Sequence, residues 1–89
     1  MRRRQIYLVE HYRSDVQLGE LERAASQLRD AVVEMESEGK PVSFLTTTII
    51  PEDEFYLSVI EAASETLVRE AHVRAGVPFE RISLAITVT

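Results

Sequence analysis

The segment Glu54–Gly76 constrains the fold more than any other stretch, because it holds a strand, a corner and a helix whose stop signal recurs earlier in the chain. Phe55, Leu57 and Val59 alternate with Tyr56, Ser58 and Ile60, the two-residue period of a strand. Both sets are largely apolar, so this strand belongs in the middle of a sheet. Ser64 then offers a hydroxyl to the free amides of the next turn, and Glu65 sits where the helix dipole favours an anion. Leu67, Val68, Ala71 and Ala75 form one apolar stripe at helical spacing. Gly76 suits the left-handed residue that closes a helix, and Pro78 blocks a restart, so the helix ends near Ala75.

The preceding half repeats the plan. Gln5–Tyr12 reads as a first strand, with Ile6, Leu8, Glu10 and Tyr12 on one face and Tyr7, Val9, His11 and Arg13 on the other. A polar turn, Arg13–Gly19, leads into a helix from about Glu20 to Glu38, whose stripe is Leu21, Ala24, Ala25, Leu28, Ala31, Val32 and Met35. Gly39 and Pro41 supply the same punctuation as Gly76 and Pro78. Val42–Ile50 is a second strand, and Pro51-Glu52-Asp53 turns it into the third as a hairpin. Ile82, Leu84, Ile86 and Val88, alternating with Ser83, Ala85, Thr87 and Thr89, make the last strand.

The order βαββαβ predicts an α+β ferredoxin-like sandwich over a single domain, residues 1–89, with Met1 to Arg4 frayed. Its four-stranded antiparallel sheet has strand order 4-1-3-2, with both helices on one face. Apolar residues on the bare face then need a cover, which predicts a homodimer.

Composition removes several classes of function. There is no cysteine, which excludes disulfides, thiolate nucleophiles, zinc ribbons and iron–sulfur clusters. No apolar run reaches the roughly 18 residues of a membrane span, and polar residues interrupt any signal-peptide core, so the expectation is a cytoplasmic protein with no membrane partner. The net charge is −5. Without Arg2, Arg3 and Arg4 it is −8, from 7 basic and 15 acidic residues. That body repels phosphate backbones, which argues against nucleic acid.

His11 and His72 are the side chains best suited to acid, base or ligand chemistry. Spacing argues against a site local to either one. The positions i±3 and i±4 from His72 are Val68, Arg69, Ala75 and Gly76, and Glu10 and His11 project to opposite faces of a strand. A site shared across a dimer interface escapes this objection. Glu34, Glu36 and Glu38 crowd a helix C-terminus where the dipole disfavours anions; Lys40, a distant arginine or a cation would relieve them, and a solvated acidic face is the ordinary reading. Glu61, at a strand end, would act as a base if buried without a partner, with Tyr7, Tyr12 and Tyr56 as pocket walls. An arginine partner and aromatic packing are the plainer readings of the same residues.

Tyr7-Leu8-Val9-Glu10, Glu38-Gly39-Lys40, Ile60-Glu61-Ala62, Leu67-Val68-Arg69-Glu70-Ala71-His72 and the run Arg74 to Ile82 resemble the small bacterial nickel-binding, ferredoxin-like proteins. The resemblance implies dimerisation and surface nickel binding for sequestration, without catalysis. His72 lies inside a matching segment, Glu10 inside a shorter one, and His11 beside it. The expected metal ligands are therefore His11, His72 and Glu10, with Ni²⁺ as the ion and no catalytic residue. A small-molecule enzyme or sensor with a pocket on the open sheet face is the alternative, and a plain interaction module is a third.

Overall fold

The computed structural model describes residues 3–14 and 17–88. Seven elements follow one another: β1 (Gln5–Tyr12), α1 (Leu18–Ser37), β2 (Val42–Ile50), the single 3₁₀ turn Pro51–Asp53, β3 (Phe55–Ala62), α2 (Glu65–Ala75) and β4 (Arg81–Ala85). The strands form one antiparallel sheet in the order β2-β3-β1-β4, which is the expected order read from the other edge. This is the ferredoxin-like α+β sandwich.

Side-chain alternation on the two central strands sorts the residues into layers. Tyr7, Val9 and His11 of β1 and Tyr56, Ser58, Ile60 and Ala62 of β3 are buried, facing the helices. Their neighbours Ile6, Leu8, Glu10, Leu57, Val59 and Glu61 occupy the open face and keep part of their surface in solvent. All seven residues of the α1 stripe are buried, and with Val68, Ala71 and Val77 they close the core over the sheet. Removal of that apolar surface from water is the main force holding the two layers together.

Both helices end in the same hydrogen-bonded motif. Gly39 (φ 86°) and Gly76 (φ 67°) are left-handed. Lys40 N donates to Met35 O and Gly39 N to Glu36 O; Val77 N donates to His72 O and Gly76 N to Val73 O. Each pair satisfies two carbonyls of the last turn, the arrangement a glycine just past a helix end permits.

Four expectations need correction. The last strand stops at Ala85 and does not continue to Val88. Its pairing with β1 ends at Ile6↔Ala85, so Ile86 and Val88 find no partner strand and are 87% and 89% exposed. Helix α1 starts two residues earlier than expected. Ser64 is extended, as a cap residue should be, but its hydroxyl makes no cap bond. At the other end of the chain Arg4 is engaged, donating to Ser43 Oγ at 2.8 Å and lying 3.6 Å from Glu61. The expectation of fraying for Met1 and Arg2 falls outside the described residues, as does the middle of the Arg13–Gly19 turn, and Thr89.

Candidate functional site

The fold brings His11 and His72 together in the interior. His11 follows Tyr7 and Val9 on the inward side of β1, and His72 follows Val68 by one helical turn on the inward side of α2. They are 0% and 2% exposed. The two Nε2 atoms are 2.9 Å apart. The ring centroids are 5.1 Å apart, close to that distance plus the two ring radii, so the imidazoles meet nearly end on.

Distances to the backbone assign the protons. His72 Nδ1 lies 2.7 Å from Val68 O, and a carbonyl only accepts, so Nδ1 carries the hydrogen and Nε2 presents its lone pair. His11 Nε2–H then donates to His72 Nε2. The remaining nitrogen, His11 Nδ1, is bare and stands 3.4 Å from Tyr56 O, a separation too long for a good hydrogen bond. One neutral pair with one internal N–H···N bond accounts for all three distances. Burial pushes the His11 pKa down to about 3, with the neighbouring His72 adding to the effect, and burial lowers that of His72 as well.

Aromatic rings wall the pair on both sides. Tyr56 lies flat on His11, centroids 4.1 Å apart and planes within 5°. Phe79 meets His72 edge to face at 5.0 Å. The Tyr56 hydroxyl is buried with no hydrogen-bond partner among the described residues, and burial pushes its pKa up to about 12. A solvent-open cavity of about 410 Å³ adjoins the pair, lined by His72, Val73, Gly76, Val77, Pro78 and Phe79.

The other expected site residues lie elsewhere. Glu10 faces the opposite side of the sheet, where its carboxylate is 3.7 Å from Arg81. Among the described residues no three His, Asp or Glu side chains gather tightly enough to hold an ion unaided. Glu61 and Tyr12 are on the open face, away from Tyr7 and Tyr56, so no tyrosine-lined pocket forms around Glu61. The acidic end of α1 is relieved by an arginine from the other helix: Arg74 reaches Glu34 at 2.7 Å and Glu38 at 2.6 and 2.7 Å, while also holding Glu70. Those contacts hold the Glu38 carboxyl below its ordinary range.

Spacing reasoning weighed a second ligand on the same helix, on the same strand or on a partner subunit, and it missed that β1 and α2 of one chain bring the two histidines into contact. The signal was present in the periodicity. His11 continues the Tyr7–Val9 face, and His72 continues the Val68–Ala71 stripe.

A sequence model of the family described as nickel responsive protein, SCO4226-like, matches residues 7–84. The chain belongs to that family. Both histidines fall inside the matched span, as does all of the sheet except Gln5, Ile6 and Ala85. The crystal structure of SCO4226 from Streptomyces coelicolor A3(2) superposes with a TM-score of 0.72 at 19% identity, covering 94% of this chain and 99% of that one. At this identity the likeness to SCO4226 is one of fold. No curated protein matches.

Proposed function

We propose that the protein binds a borderline divalent ion, Ni²⁺ foremost, through the imidazoles of His11 and His72, and sequesters it as a homodimer without catalysis. The observation that carries this reading is the facing pair of Nε2 atoms, with His72 Nδ1 already donating to a backbone carbonyl. Imidazole suits nickel, and ligating histidines ordinarily donate their second ring N–H to such an acceptor. The family's description as nickel responsive supports the choice of ion.

The donor set fits in kind and in spacing. Two nitrogens at right angles on an octahedral or square-planar ion with bonds of about 2.0–2.1 Å stand roughly 2.8–3.0 Å apart. In direction the rings are arranged for the shared proton, so each must turn to point at a common ion. When it does, the His11 proton moves from Nε2 to Nδ1, where Tyr56 O is the waiting acceptor. Water or a partner subunit completes the coordination. Glu10 takes no part at this pair, because the sheet stands between.

Calorimetric titration with nickel tests the reading. The wild-type protein should bind more tightly than the millimolar range, His11→Ala and His72→Ala should each abolish binding, and Glu10→Ala should leave it intact. Undiminished binding in the double histidine variant, or none in the wild type, overturns it.

A further inference from the structure

His11 is 0% and His72 2% exposed, yet the cavity beside them is open to solvent. Of the two rings that wall the pair, Tyr56 is 0% exposed on a central strand, packed under Leu21, Ala24, Ala25 and Val77. It has no room to move. Phe79 is half-buried and sits on the connector between α2 and β4, whose fixed points are Val77 N to His72 O at 3.1 Å and Glu80 N to Glu10 O at 2.8 Å. Between those points, neither Pro78 nor Phe79 makes a backbone hydrogen bond among the described residues. His72 and Phe79 line the cavity together, with His72 only 2% exposed and the edge of one ring against the face of the other at 5.0 Å, and the Arg69 guanidinium stands over Phe79 at 5.3 Å, itself tied to Glu65 at 2.8 Å.

The geometry points to Phe79 as the gate that controls access of an ion to the His11–His72 pair, with Arg69 as its latch. This rests on the metal reading above and adds the route. A cation–π contact of this kind holds the ring by a modest energy that thermal motion overcomes, so the gate opens without unfolding the core. The latch has a second effect, because its positive charge stands 5.3 Å from the centre of a ring that lines the cavity and so opposes an approaching cation. Phe79 therefore sets how fast an ion arrives and leaves, while the two histidines set how tightly it is held.

Stopped-flow nickel binding to the wild type, Phe79→Ala and Arg69→Gln is the test, run beside carbethoxylation of the histidines by diethylpyrocarbonate, which needs access but no metal. Association and dissociation rates in Phe79→Ala should rise together on the order of tenfold, leaving the equilibrium constant nearly unchanged. Carbethoxylation should accelerate by a similar factor. Arg69→Gln alters an exposed side chain and should move both rates the same way by less, keeping the question answerable if Phe79→Ala does not fold. Faster carbethoxylation without any nickel binding keeps the gate and removes the metal reading. Nickel binding whose rates, and carbethoxylation whose rate, are indifferent to both substitutions overturns the gate.

Discussion

Two histidines held neutral inside the core tie the stability of the protein to pH in a definite direction. Their folded pKa values lie below the ordinary 6.5, so below that pH the unfolded chain takes up protons that the folded chain refuses. Stability is therefore complete above pH 6.5 and declines as the pH falls, for His11 down to about 3. Carboxylates confuse the picture only nearer their ordinary 4.5, so the interval from pH 6.5 to about 5 belongs to the histidines. Within it, urea midpoints should fall, with His11 alone contributing about 1.4 kcal/mol per pH unit. Replacing the pair by apolar groups, His11→Phe with His72→Leu, should flatten the curve. A flat wild-type curve would contradict the burial argument. The residue scale is also where the sequence was least legible. Periodicity marks His11 and His72 as inward-facing, but which inward residues touch depends on how α2 lies across β1, and no spacing rule within one element contains that.

At the scale of elements the sequence was far more legible, because strand alternation and helix stops are local physics. β1 and β2 have their expected ends, the hairpin forms, and both glycine stops are left-handed. β4 shows the limit of such reading: Ile86 and Val88 continue the alternation of Ile82 and Leu84, but alternation does not supply a neighbour to bond with past Ala85. The stops themselves can be tested. A Cβ at Gly76 would meet no atom within 4 Å, so Gly76→Ala adds only backbone strain at φ 67°. It should cost about 1–2 kcal/mol in denaturant unfolding, and Gly39→Ala should behave alike. A neutral Gly76→Ala would mean that the turn relaxes and is not held by its two hydrogen bonds. Between the helices, Arg74→Ala leaves Glu34 and Glu38 crowded without their cation, while Glu70 keeps Lys40 at 3.1 Å. The melting temperature should drop, and added salt should narrow the difference from wild type, since screening weakens repulsion among exposed charges. A deficit that salt does not change would point instead to lost packing of the arginine stem.

For the molecule as a whole, the layer order follows from the two central strands being apolar on both faces, and that feature also carries the last prediction. The helices cover one face of the sheet. On the other, Leu8 and Val59 pair at the centre, flanked by Ile6 opposite Glu61 and Leu57 opposite Glu10, all four apolar residues partly exposed, with Arg4 and Arg81 beside the two carboxylates. An apolar band with charges of both signs at its rim can meet a second copy of itself about a two-fold axis, each copy offering what the other lacks. Sedimentation equilibrium of the wild type should give a dimer in the micromolar range. Leu57→Glu puts a second carboxylate opposite Glu10 in the band, away from the core packed by Tyr56 and Ser58 on the reverse of the same strand. It should yield a folded monomer with an unchanged far-ultraviolet spectrum. Because His11 and His72 face the opposite layer, that monomer should still bind nickel, with affinity reduced only by whatever ligand the partner subunit contributes. A wild type that sediments as a single chain would remove the dimer and leave the histidine pair intact. Loss of all nickel binding in a folded Leu57→Glu monomer would place the essential ligands between subunits.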